Sequence, residues 1–159
     1  MARRVFFSFH YDDVWRANIV RNCNVGLGLE AAGFFDHSEY LEAKRSGDDG
    51  IRRMINRHLN GTSVTVALIG SQTAYRRWVQ YEIEQSVARG NGLLGVYIHL
   101  VGSPIRPPTY QGPDPYVHGV AFPTFAWRPQ SHNACVEILA REIEKAGERS
   151  DAMRRLGQS

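Results

Sequence analysis

The stretch SVTVALIGSQTAYRRWVQYEIEQSVA, residues 63–88, runs from a β-branched apolar segment across a Gly70-Ser71 break into a helical pattern that carries Trp78 and, four residues on, Glu82. A short apolar run that gives way to 3.6-residue periodicity is the signature of a strand feeding a helix. Val79, Ile83 and Val87 form the apolar stripe of that helix. At ~100° per residue Glu82 lies about 60° from Val79, on the flank shared with Trp78 and Tyr75. The unit therefore reads as a buried strand whose helix delivers a carboxylate beside the core, held rigidly and able to face a cleft.

Upstream the same alternation recurs. Asp48 or Asp49 is expected to cap a helix over Gly50–Leu59, with Ile51, Met54, Ile55 and Leu59 at core spacing and Asn60-Gly61 ending it. The polar segment from Asp36 to Gly50 reads as an exposed functional loop with one helical turn near Tyr40-Leu41. Gly33-Phe34-Phe35 is a second, very short apolar run. Val5–Phe9 is a dense apolar run of the kind found in strands buried on both faces. After it, Asp12 or Asp13 is placed to cap a helix beginning near Val14, with a break expected around Asn22 to Gly28.

Downstream, Gly90-Asn91-Gly92 closes the Thr73–Arg89 helix and Leu93–Val101 reads as a fourth strand. Gly102–Gly119 holds five of the seven prolines and defeats any periodic reading, so it is expected to be irregular. Val120–Phe125 is a weak fifth strand. Asn133–Lys145 is a helix with Val136, Leu139, Ala140 and Ile143 on one face. Strands alternating with helices imply an α/β fold: a flavodoxin-like open parallel sheet of four to five strands with helices on both faces and right-handed crossovers. One domain is expected over residues 1–149, followed by a frayed, flexible tail at 150–159. Such sheets bind ligands at the carboxyl ends of their strands, which gathers Phe9, His10, Tyr11, Asp36, Ser71 and the helix bearing Glu82 around one crevice.

Composition narrows the function classes. At 159 residues, 43% apolar and 22% charged, the chain can bury one good core. The net charge is only +3, and the arginines fall in dispersed pairs (Arg3-Arg4, Arg52-Arg53, Arg76-Arg77, Arg154-Arg155), which argues against nucleic acid and suits a small anionic ligand. Cys23 and Cys135 form no C-x-x-C arrangement and read as reduced, packed thiols, with no zinc site implied. No stretch approaches the ~20 apolar residues of a spanning helix, and VFFSF is too short for a secretory leader, so no membrane partner and a cytoplasmic location are expected.

Four segments taken together, RRVFFSFHYDD, GFFD, IRRMINRHLNGTSVTVALIGSQT and YRRWVQYEI, resemble TIR domains, and most closely the TIR-like group represented by the Thoeris anti-phage defence protein ThsB. The likeness spans Arg3 to Ala88 in the right order. It aligns Val5, Phe6, Ser8 and Phe9 with the family's first strand, Asp36 with an aspartate after the second, and Trp78 and Glu82 with its Trp-x-x-x-Glu helix. In NAD-consuming members that glutamate is catalytic, the tryptophan lines the same pocket, and the residues after the first strand contact substrate. This chain departs at His10, where many enzymatic relatives carry arginine, and at Arg77, where a serine is usual.

The resemblance implies cleavage of the nicotinamide-ribosyl bond of NAD by Glu82, with Phe9, His10, Tyr11, Asp36, Ser71 and Trp78 binding substrate. Departure of nicotinamide leaves a ribosyl cation, which a carboxylate beside the ribose can stabilise. NAD is then substrate, and no metal, flavin or other cofactor is expected. The implied product is a cyclic ADP-ribose-type signal that activates a separate effector protein, with a phage-derived trigger and self-association as further partners. The competing reading is a non-catalytic interaction module using the Asp36–Gly50 loop. A phospho-receiver reading of Asp12-Asp13 lacks its nucleophile, since the third strand ends Ile69-Gly70-Ser71. The GLG at 26–28 lacks a strand-to-helix context for phosphate binding. His58 and His99 read as structural.

Overall fold

The computed structural model describes residues 3–27, 30–35, 37–103, 105–117 and 119–157, and the side chains of these apart from 24–27, 30 and 37. Five strands, β1 (Arg4–Phe9), β2 (Glu30–Ala32), β3 (Val64–Ile69), β4 (Gly92–Tyr97) and β5 (Thr124–Ala126), form one sheet in the order β2-β1-β3-β4-β5. Every neighbouring pair is parallel. This is the flavodoxin-like order, and β1 and β3 are its centre. Their apolar runs are buried on both sides, as the sequence implies for strands covered by helices on each face.

Alternation along the strands sorts the core into two layers. Val5 and Phe7 of β1, Val64, Val66 and Leu68 of β3, and Leu94 and Val96 of β4 pack on helices α1 (Val14–Leu27) and α5 (His132–Gly157). On the other face Phe6 meets Ile51, Met54, Ile55 and Leu59 of α3 (Gly47–Leu59), while Ala67 and Ile69 meet Val79 and Ile83 of α4 (Arg77–Ala88). Ser8 falls on this second face, under α4, and is fully buried.

The expected boundaries shift in physically telling ways. The second strand is Glu30–Ala32, three residues before the apolar run assigned to it. Gly33 ends it with φ +89°, and a Cβ there would lie 2.3 Å from the Phe7 carbonyl oxygen. Only glycine fits that turn, and it swings Phe34 and Phe35 out of the sheet. α1 runs unbroken through Asn22, because Ala17 and Val20 keep it on the core and Gly26 falls in its last turn.

The Asp36–Gly50 segment is not a loop. It contains α2 (His37–Arg45) and the first turn of α3, while Asp36 itself lies outside the described residues. α2 buries little beyond Tyr40 and Ala43, so its apolar signal is faint. It is docked by close approach instead: a Cβ on Gly50 would lie 2.1 Å from the Ala43 carbonyl oxygen. Asp48 and Asp49 occupy the first turn of α3, where carboxylates favour the positive helix end, instead of capping it. Asp13 is likewise no cap: it is buried, and Arg16 Nη1 donates to its Oδ1 at 2.7 Å.

The final helix also outruns its apolar stripe. α5 continues to Gly157 through the stretch expected to fray. The extension is held by polar contacts: Arg3 pairs with Glu144 and Asp151 at 3.1 and 3.0 Å, Ser150 Oγ donates to the Gly90 carbonyl at 2.7 Å, and Arg154 donates to Asn91 Oδ1 at 3.0 Å. Among the described residues of 102–119 there is no helix or extended strand, and β5 begins only at Thr124, later than expected. Both cysteines are free. Among the described residues no helix is long and apolar enough to cross a membrane.

Candidate active site

Glu82, the residue that the family resemblance marks as catalytic, is buried at the wall of a cavity. It sits on α4 above the carboxyl end of β1 with 5% of its surface exposed, a burial that a glutamate rarely tolerates without a cationic partner. None is present among the described residues. Among the described residues its one side-chain hydrogen bond comes from the Ser8 hydroxyl, which donates to Oε1 at 3.3 Å. Burial pushes the Glu82 carboxyl well above the ordinary carboxylate range, and the Ser8 hydroxyl pulls it part of the way back.

The helix under Glu82 is fixed by a buried polar chain. Asn91 Nδ2 donates to Thr62 and Thr65 Oγ1 at 2.9 and 3.1 Å, Thr65 Oγ1 donates to Ser86 Oγ at 2.7 Å, and Ser86 Oγ donates to the Glu82 backbone carbonyl at 2.7 Å. The carboxyl-bearing turn is thereby tied to the loops at the amino end of β3 and β4. A site fixed from below by satisfied hydrogen bonds keeps its geometry when a ligand arrives.

Above the carboxyl opens a cavity of about 870 Å³ whose walls include Phe9, His10, Tyr11, Phe34, Tyr40, Met54, Trp78 and Glu82. That volume, with several aromatic rings in its lining, suits a dinucleotide-sized ligand. Trp78 stands edge-on to Tyr81, with ring centres 5.7 Å apart, and the Arg77 guanidinium lies 4.5 Å from its ring centre. Phe34 packs against Phe9 at 4.9 Å. Phe35 is propped by His58, 4.5 Å away, and His58 Nε2 is 2.7 Å from Glu39 Oε1, which also borders the cavity.

The structure brings together Glu82, Trp78, Phe9, His10 and Tyr11 of the residues selected from sequence. Ser71 is not among the cavity walls. The 102–119 connection packs over it, so closely that a Cβ on Gly112 would sit 2.7 Å from the Ser71 carbonyl oxygen. Tyr75, placed on the Glu82 flank by a continuous helix, is 69% exposed and does not line the cavity. The continuity fails because a 3-10 turn at Thr73–Tyr75 is followed by Arg76 in extended geometry (φ −90°, ψ 126°), and α4 starts afresh at Arg77.

A model of the TIR-like domain of the Thoeris protein ThsB matches residues 6–103. The chain belongs to that family. The match contains every residue that walls the cavity. A protein of Bacillus cereus (strain MSX-D12) named "Putative cyclic ADP-D-ribose synthase ThsB1" is 49% identical over 119 residues, which cover 73% of this chain and 62% of that protein. The chain thus spans less than two thirds of the length of the curated relative it matches.

Within this ThsB-type frame the two departures acquire surroundings. Arg77 is held by Asp48 of α3, its Nη2 2.6 Å from Oδ2, and so braces the Trp78 wall. His10 Nε2 lies 3.1 Å from Asp12 Oδ2 without hydrogen-bonding geometry, and its ring borders the cavity. Sequence reasoning missed Ser8 as the partner of Glu82, although strand alternation places it on the α4 face with Phe6. It also missed Phe34, Tyr40, Arg21 and Arg76 as cavity walls. Among the described residues no group of three His, Cys, Asp or Glu side chains is arranged to hold a metal ion.

Proposed function

We propose that this chain is an NAD-consuming TIR-like enzyme of bacterial anti-phage defence that cleaves the nicotinamide-ribosyl bond and makes a cyclic ADP-ribose-type signal. The observation that carries the reading is a buried carboxyl, Glu82, without a cationic partner among the described residues, at the wall of a cavity that several aromatic rings line. The name of the Bacillus cereus relative supports the product class.

In this reading the positively charged nicotinamide ribose enters beside Glu82 and supplies the charge that the protein withholds, which draws the carboxyl into its ionised form. The bond between the ribose anomeric carbon and the nicotinamide nitrogen breaks. Its electron pair leaves with nicotinamide, now neutral, and no general acid is needed. The ribosyl cation left behind is stabilised by the Glu82 carboxylate. Attack by a nitrogen or hydroxyl of the same molecule, followed by loss of one proton, closes a cyclic product, whereas attack by water gives linear ADP-ribose. Trp78 and Phe9 wall out that water. The reaction draws on no metal, flavin or other cofactor.

The same reading assigns the product to a separate effector protein, with a phage-derived trigger and self-association governing activity in the cytoplasm. Purified protein incubated with NAD, with and without phage lysate, and analysed by mass spectrometry tests it. Release of nicotinamide together with a product of cyclic ADP-ribose mass, lost in Glu82→Gln, is the expected result. Nicotinamide release that survives the substitution would sink the assignment.

A further inference from the structure

Three arginines border the cavity: Arg21, Arg76 and Arg77. Arg77 is committed to Asp48. Arg21 and Arg76 are exposed at the surface and make no ion pair with any described residue. The two carboxylates on the same walls do not balance them, because Glu39 is engaged by His58 and Glu82 is buried beneath the opening. The cavity lining thus carries two guanidinium groups without an ion pair among the described residues, one on α1 and one immediately before α4.

The Arg21 guanidinium and the Arg76 main chain are both positioned. Arg21 lies over the face of Phe34, its guanidinium carbon 4.5 Å from the ring centre, and Phe34 is itself packed on Phe9. A guanidinium held over an aromatic face retains N–H donors for an anion. Arg76 owes its place to the helix break. On an unbroken helix at ~100° per residue it would stand about 120° from Glu82, on another face. The extended backbone at Arg76 resets that register, and its main chain is pinned by the bonds from Arg76 N–H to Thr73 O at 3.2 Å and from Gln80 N–H to Arg76 O at 3.0 Å. The same break that expels Tyr75 admits Arg76.

We propose that Arg21 and Arg76 form a phosphate clamp that grips the pyrophosphate of a dinucleotide at the cavity mouth while its ribose reaches Glu82. The assignment of the dinucleotide rests on the NAD-cleaving reading above. A planar guanidinium offers paired N–H donors to phosphate oxygens, and two of them match the two negative charges of a pyrophosphate.

Equilibrium binding of ADP-ribose tests the clamp without requiring turnover. Titration calorimetry on wild type, Arg21→Ala and Arg76→Ala is expected to show affinity falling about tenfold for each variant, with the loss shrinking at high salt. Adenosine, which has no phosphate, should bind all three alike. Unchanged ADP-ribose binding, or equal losses for ADP-ribose and adenosine, would overturn the clamp. In kinetics, each variant should raise KM for NAD about tenfold with kcat within a factor of about two, and leave kcat/KM for nicotinamide riboside unaltered. If the wild type releases no nicotinamide with or without phage lysate while ADP-ribose binding still depends on Arg21 and Arg76, the NAD-cleaving reading fails and the clamp stands. If Glu82→Gln is inactive and both arginine variants behave as wild type, the clamp fails alone.

Discussion

Two carboxylic acids are buried near the carboxyl edge of the sheet, and they are treated oppositely. Asp13, 7% exposed, receives Arg16 Nη1 at 2.7 Å, and a Cβ on Gly70 would lie 2.2 Å from its other oxygen, so glycine there leaves it room. Arg16 goes on to donate to the carbonyls of Val101 and Pro107 at 2.9 and 3.2 Å and lies 4.2 Å from the centre of the Trp15 ring. That cluster is closed: its charges cancel, and it ties the proline-rich connection to α1. Glu82 is buried as deeply and receives only a hydroxyl. Paired burial holds a loop in place, whereas unpaired burial leaves a demand for positive charge that a cationic substrate can meet.

The contrast is broken most directly at Glu82. Glu82→Gln keeps the shape and removes the charge, and nicotinamide release from NAD, followed by chromatography, should fall by about 10³-fold, roughly 4 kcal/mol of transition-state stabilisation. At Asp13 the loss should appear in folding instead. Asp13→Ala leaves the Arg16 guanidinium buried without its partner and should cost about 3 kcal/mol in urea unfolding. Turnover by the folded fraction should stay within a few-fold of wild type. A variant at Asp13 that abolished turnover without loss of stability would erase the distinction.

A finer probe lies between the two. Ser8→Ala removes the one hydrogen bond that favours ionised Glu82, so the carboxyl should rise further and the acid limb of the pH-rate profile should move to higher pH. A loss of roughly fivefold in kcat/KM, about 1 kcal/mol, is expected. An acid limb that stayed in place would detach Ser8 from the chemistry.

The smallest effect expected is on stability against pH. Burial raises the folded-state carboxyl of Glu82 above its ordinary value of 4.5, so the folded chain holds that proton more tightly than the unfolded one. The stability this contributes is complete below the ordinary value and is lost as pH rises through the folded one. Glutamine does not ionise. Urea midpoints for Glu82→Gln should therefore exceed those of wild type at about pH 8 and close on them as pH falls toward about 4.

Legibility followed the kind of force involved. β1, β3, α3 and α4 announce themselves because each buries a full apolar stripe, and period 2 or 3.6 in hydrophobicity is a direct image of that burial. α2 and the last turns of α5 escape a periodic reading because close approach at Gly50 and long-range pairs such as Arg3 with Asp151 leave no periodic trace. The site divides in the same way. That Glu82, Trp78, Phe9, His10 and Tyr11 share one cavity was legible from their places on α4, on β1 and just after β1. Ser71 was not excluded in advance, because the connection that covers it is separated from it by some thirty residues of chain.

Sequence by itself determined the fold class, the central strands and the helix that carries Glu82, since these depend on apolar spacing within a few residues. Tertiary structure alone decided that Ser8 would be the partner of Glu82, that Asp13 would be neutralised by Arg16, and that Arg76 instead of Tyr75 would face the cavity. Those outcomes turn on a single extended residue at the head of α4 and on which side chains from distant elements meet over the sheet. Local periodicity carries no information about either, because it records how much a residue is buried and not against what.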